Sequence, residues 1–152
     1  MKEVLNEAKK DYYKPMHTAE HILNQTMGRM FACQRSKNAH IERKKSKCDY
    51  LLAEEPTAET LAEVERKVNE VIDQHLPVTI EFLTYEEAKN IADLSKLPEN
   101  VSQTLRIIRV GDYDACACIG EHVENTSEIG HFKLLNCDYN DGRLRLRFKL
   151  TD

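Results

Sequence analysis

The sequence predicts an α+β domain with helices packed on one face of a sheet. Three observations carry this. Met16 to Cys33 and Thr57 to His75 each repeat apolar residues at helical spacing. Short alternating runs between and after them read as strands. Helices and strands are interspersed without strict β-α-β alternation, which disfavours a doubly wound parallel sheet. At 152 residues the chain has the size of one domain, so 1–152 is read as a single unit. Its 41% apolar residues suffice for a core and its 32% charged residues for a solvated surface, excluding disordered, collagen-like and disulfide-scaffold classes.

In the first helix Ile22, Leu23, Met27, Met30 and Phe31 share a face, and Pro15 suits the first turn, where its missing N–H costs nothing. Asn38 to Ala53 alternates and reads as two strands or a hairpin, with a basic run at Arg43, Lys44, Lys45 and Lys47. Thr57 caps the second helix, Leu61, Val64, Val68, Val71 and Ile72 form its apolar face, and Pro77 ends it. Val78 to Leu83 alternates as a strand. Thr84-Tyr85-Glu86-Glu87 has the capping-box pattern of a short helix reaching about Ala92. Pro98 and Asn100 mark a loop. Leu105 to Val110 is a β run, Gly111-Asp112 a turn, and Tyr113 to Cys118 a further strand. Phe132 to Cys137 and Leu144 to Leu150 close the chain as a hairpin around Asn140-Asp141-Gly142.

Lys and Arg number 22 against 26 Asp and Glu, a net charge of −4, which excludes coating nucleic acid by bulk charge yet allows a local basic patch. No run approaches the ~20 apolar residues of a membrane span, and Met1 to Lys14 lacks the apolar stretch of a signal peptide. A cytoplasmic protein with no membrane or DNA partner is expected. The odd count of five cysteines then points to metal or free thiol rather than disulfide.

Two spaced pairs carry chemistry. His17 and His21 stand at i and i+4 on the first helix, where four steps of ~100° bring the second ring within about 40° of the first. Cys118 and His122 repeat the spacing a hundred residues later. Three nitrogens and a sulfur suit Zn²⁺ better than Mg²⁺ or Ca²⁺, which prefer oxygen. Glu20 precedes the second histidine instead of following the first, so the metalloprotease pattern is not met, and it reads as a helix-surface charge. His75 reads as a last-turn histidine on the second helix.

His17-Thr-Ala-Glu-His21-Ile-Leu together with Cys118-Ile-Gly-Glu-His122-Val resembles the two motifs of alanyl-tRNA synthetase editing domains and of free-standing AlaX-type proteins, and the threonyl-tRNA synthetase editing domain shares the pattern. Lys47 to Tyr50, Glu65 to Ile72 and Val123 to Gly130 are similar to further segments of that family, so the resemblance runs from about Met16 to Leu150. It implies a two-layer α/β sandwich of the editing-domain type, a zinc cofactor held by His17, His21, Cys118 and His122, and hydrolysis of mischarged tRNA in trans, with Ser-tRNA(Ala) or Gly-tRNA(Ala) as substrate. Ile119, Gly120 and Glu121 depart from the usual Gly-Gly-Thr filling, which bears on the amino-acid pocket.

Thr18, Gln34 and Asp49 are expected near the metal end of the first helix or its facing strand, and Glu121 between two ligands, as substrate-binding candidates. A site built to hydrogen-bond a hydroxyl rejects an analogue lacking it far better than an apolar pocket rejects a methylene. Arg143, Arg145 and Arg147, extended by Lys149, share one strand face and are the tRNA-binding candidates. A non-catalytic zinc-stabilised tRNA-binding module, a deacylase for another mischarged aminoacyl-tRNA, and a metalloenzyme acting on small esters or amides are the alternatives.

Overall fold

The computed structural model describes residues 13–92, 94 and 104–151. The loop expected at Pro98 and Asn100, and most of Met1 to Lys14, lie outside them. In chain order the elements are α1 (Lys14–Phe31), β1 (Asn38–His40), β2 (Ser46–Leu51), α2 (Ala58–Asp73), β3 (Val78–Thr84), α3 (Tyr85–Ala88), β4 (Thr104–Val110), β5 (Asp114–Ala117), β6 (His131–Asn140) and β7 (Arg143–Thr151). A 3₁₀ turn spans Thr126–Glu128. The fold is mixed α+β, with two antiparallel sheets in place of one: β1-β2-β7-β6 and the meander β3-β4-β5. The closing hairpin returns across most of the chain to pair β7 with β2, a long-range choice that alternation within each strand does not encode.

α1 ends at Phe31, two residues short of expectation, because Ala32 turns left-handed (φ 54) and its N–H bonds back to the Gly28 carbonyl at 2.9 Å. The Thr57 side chain caps α2 by accepting from the Thr60 N–H at 3.1 Å. His75 lies beyond the helix in a left-handed conformation, not in its last turn. The capping box at Thr84 forms with both bonds to Glu87, yet α3 is a single turn ending at Ala88. β6 and β7 are joined at Asp141 (φ 51) and Gly142 (φ 81), the two positive φ values that match a hairpin turn to strand twist. An irregularity between Leu134 and Asn136 leaves Leu135 unpaired and exposed.

α1 and α2 pack with the β2, β6 and β7 side chains that point towards them. Ile22, Leu23, Met27, Val64 and Val68 share one buried cluster with Tyr50, Phe132, Leu144, Leu146 and Phe148. Each such side chain contributes about 1.5–3 kcal/mol on full burial, so α1, which carries two of the candidate ligands, is firmly seated. A smaller cluster of Ala88, Leu105, Ile107 and Ala117 ties α3 to β4 and β5, and β5 runs directly into Cys118. Among the described residues no helix is long and apolar enough to cross a membrane.

Candidate metal centre

The two motifs meet. His17 and His21 project from the buried N-terminal half of α1, and Cys118 and His122 come from the loop that follows β5. One donor atom from each lies within 4.8 Å of all the others, and His17 Nε2 is 3.5 Å from Cys118 Sγ. The four could hold one metal ion.

Three neighbours orient the rings. His17 Nδ1 donates to the Glu121 carbonyl at 3.1 Å, and since a carbonyl only accepts, the proton sits on Nδ1 and the lone pair on Nε2. The Thr18 hydroxyl donates to the Lys14 carbonyl (3.2 Å) and accepts from the Val123 N–H (3.2 Å). Its single proton being used, it accepts from His122 Nδ1 at 3.0 Å. That again leaves the lone pair on Nε2. For His21 the neighbour is Asp114, whose Oδ2 lies 3.6 Å from Nδ1. His17 and His122 are thereby set to offer Nε2 as donor.

Asp114 is fully buried, and it also accepts from Arg35 Nη1 (2.8 Å), Arg35 Nη2 (3.2 Å) and Gln25 Nε2 (2.8 Å). This buried pair binds the segment after α1 to β5 beside His21. The ligand loop is held from the other sheet. Arg106 on β4 donates to the carbonyls of Cys118 (3.0 Å) and Gly120 (2.6 Å), while the Cys118 N–H donates to the Arg106 carbonyl (3.0 Å). Further along, Val78 N–H donates to the Glu124 carbonyl at 2.8 Å, and Thr126 bonds Ile72 and Leu76 at the end of α2.

Sequence reading missed Asp114, Arg35, Gln25 and Arg106, whose roles depend on partners 12 to 89 residues away. It also placed Glu20 on the surface. Glu20 is buried, with Oε1 3.7 Å from His17 Nε2. The reason is that every residue from Met16 to Asn24 is buried, because both the sheet and the ligand loop cover this half of α1. Amphipathic spacing presumes one wet face, and here there is none.

Thr18 is at the cluster, where its hydroxyl is fully engaged in orienting His122. Glu121 offers its carbonyl to His17 while its side chain is exposed. Asp49 lies on β2, whose Tyr50 hydroxyl donates to Asn24 Oδ1 on α1 at 2.6 Å, so it is on the strand facing that helix. Gln34 follows the helix C-terminus in a segment that turns back along α1, where the Ser36 N–H donates to Asn24 Oδ1 at 3.4 Å. It lines an open cleft of about 500 Å³ with Arg35, Asn38, Asp49, Leu51 and Arg143, and a second of about 300 Å³ with Asn24 and Gln25. Arg35 borders both clefts and touches Asp114, so it is the physical link from them to the metal cluster.

Asp49 accepts from Arg145 through both oxygens (2.7 and 2.9 Å) and from Asn38 (2.8 Å). The Arg145 hydrogen bonds hold the Asp49 carboxyl below its ordinary range, against a smaller opposing effect of burial. Arg143 and Arg147 share Asp138 at 3.1 and 2.9 Å. All three arginines of the row are therefore tied to carboxylates of neighbouring strands. The five cysteines are unbridged. Burial pushes the Cys33 and Cys137 thiols up, and Cys116 is buried.

Residues 105–147 match the family described as the threonyl and alanyl tRNA synthetase second additional domain, a span that includes Asp114, Cys118, His122 and the arginine row but neither α1 histidine. Alanine–tRNA ligases align over more of the chain. That of Methylacidiphilum infernorum is 37% identical over 121 residues, 78% of this chain and 13% of the ligase. The Coxiella burnetii ligase is 36% identical over 121 residues (79% and 14%), and the Treponema denticola ligase 33% over 117 residues (76% and 20%). The chain is similar to one part of alanine–tRNA ligases. It spans between 13% and 20% of the length of these three relatives.

Proposed function

We propose that this domain is a zinc-dependent aminoacyl-tRNA deacylase, a cytoplasmic editing protein of the free-standing AlaX type folded as the two-layer editing-domain sandwich, with Ser-tRNA(Ala) or Gly-tRNA(Ala) as substrate. The observation that carries the reading is the convergence of His17, His21, Cys118 and His122, with the His17 and His122 rings turned to offer Nε2. The donor set fits zinc: bonds of about 2.0–2.3 Å in a tetrahedron need donor separations of about 3.3–3.8 Å. The 3.5 Å between His17 and Cys118 falls within that range, and the 4.8 Å span of the set needs about an ångström of closure.

Zinc bound there supplies Lewis acidity to an ester carbonyl or holds the substrate amino group. In the reaction, water adds to the carbonyl and the bond to the terminal ribose oxygen breaks, releasing the amino acid and the tRNA hydroxyl. The chain's own part is positional. Thr18 and the Glu121 carbonyl fix the rings, and Arg35 presents a cation between the metal cluster and the Gln34 cleft. The Gln34 amide, at a cleft whose wall Asp49 stiffens through Asn38 and Arg145, is the candidate reader of the amino acid. Glu121, exposed beside the ligands, is the candidate partner for its ammonium group. Arg143, Arg145 and Arg147 are the candidate tRNA contacts.

Four protein donors also form the closed shell typical of structural sites, which favours a second reading, a zinc-stabilised tRNA-binding module without hydrolysis. One experiment separates the two. Release of labelled amino acid from added Ser-tRNA(Ala), Gly-tRNA(Ala) and Ala-tRNA(Ala) is measured for wild type and Cys118→Ala, with zinc content determined on both. Loss of serine or glycine with alanine spared, abolished in the zinc-depleted variant, supports the deacylase. Intact esters alongside bound zinc and bound tRNA support the module.

A further inference from the structure

Sequence places two basic clusters about a hundred residues apart, and the fold makes them one surface. β2 pairs with β7 so that Lys47 faces Arg147, and β6 pairs with β7 so that Lys133 faces Lys149. Cys48, Leu146 and Phe148 point into the core, so these cations, one residue out of phase, point away from the helices. His40 on β1 faces Lys47 and extends the same row.

The outer face has two unlike halves. At one end Asp49 and Asp138 take up Arg143 and Arg145, and Asp138 also reaches Arg147. At the other end no carboxylate comes within ion-pair reach of Lys45, Lys47, Lys133 or Lys149 among the described residues. The shallow cleft there, about 330 Å³, is lined by His40, Glu42, Lys45, Ser46, Lys47 and Arg147, with one acid against three permanent cations. Like charges directly opposite on a sheet are destabilising, and this half carries the rung Lys133–Lys149, while Lys47 faces Arg147, whose guanidinium is shared with Asp138. An anionic partner would offset that cost.

We propose that this lysine half, centred on Lys47, Lys133 and Lys149, docks the sugar–phosphate backbone of a double-stranded RNA segment. The assignment rests on the aminoacyl-tRNA reading above and gives the acceptor duplex a seat separate from the metal cluster. A duplex fits better than a single strand, because the face presents no Phe, Tyr or Trp on which unpaired bases stack. Spacing supports phosphate contact too: neighbouring cations stand about 5 Å apart across strands and about 7 Å apart along β7. The cleft bordered by Leu51, Arg143 and Gln34 joins this face to the segment after α1, a route for an unpaired 3′ end.

The test measures binding of a hairpin RNA carrying the acceptor duplex, and of its single-stranded 3′ end alone, across 50–200 mM salt. Wild type is compared with the double variant Lys47→Gln/Lys149→Gln and with Lys67→Gln at an exposed position of α2, all checked for an unchanged melting temperature. The double variant should lose about tenfold in duplex affinity at low salt. Its salt slope should fall by about 0.9 for each lost phosphate contact, while the single strand binds as before. Deacylation at saturating tRNA should keep its rate and raise its KM. Wild-type affinity and slope in the double variant, or an equal loss in Lys67→Gln, overturn the surface while leaving the deacylase reading in place. A wild type that deacylates nothing and binds neither RNA overturns both.

Discussion

Asp114→Ala tests the idea that one buried carboxylate supports both the fold and the metal cluster. It removes the acceptor of two Arg35 bonds and one Gln25 bond, with the Asp114 side chain 0% and the Arg35 side chain 5% exposed. Breaking a buried ion pair by deleting one partner costs about 3–5 kcal/mol, because the remaining charge is left in a poorly solvating environment. In a domain of this size each kcal/mol moves the midpoint by about 2–4 °C, so the metal-stripped variant should melt about 6–20 °C below wild type. Asp114→Leu combined with Arg35→Met should recover most of that loss, since no charge is then stranded. His21 also loses the carboxylate 3.6 Å from Nδ1, and zinc affinity, read by competition with a chelator well below the midpoint, should fall about 10–100-fold. A stability loss under about 1 kcal/mol in urea, or unchanged zinc affinity, would refute the reasoning.

Three other outcomes follow from the same geometry. Asp49 has a folded-state pKa below its ordinary value, so its stabilisation is present above about pH 4 and is lost as pH falls through the folded value. Asp49→Asn should cost about 1–2 kcal/mol at pH 7 and weaken the acid-side fall of a urea stability series; an unchanged acid limb would count against the Arg145 pair. Gly111 sits at φ +50 with its N–H on the Pro77 carbonyl, and a Cβ there would lie 3.1 Å from Leu76 side-chain atoms, so Gly111→Ala should lose about 1–2 kcal/mol in urea unfolding. Arg106→Gln frees the carbonyls of Cys118 and Gly120 and should weaken zinc binding about tenfold in the chelator assay, with a smaller effect on the melting midpoint than Asp114→Ala.

What the sequence determined by itself was local. The faces of α1 and α2, the caps at Thr57 and Thr84 and the turn at Asp141-Gly142 each follow from residues within one or two turns of chain. The two i, i+4 pairs were legible for the same reason, since a single helical turn or short loop brings each pair together. Tertiary structure decided what depends on distant partners. β2 lies beside β7 and the strands divide into two sheets, so the two basic clusters become one face and Arg145 is committed to Asp49. Packing α1 between the sheet and the 118–123 loop buried Glu20 and gave Asp114 its place behind His21. Periodicity records which side of an element is apolar; it does not record which distant element covers the other side, and that covering sets the solvation, pairing and protonation of the polar groups at the cluster.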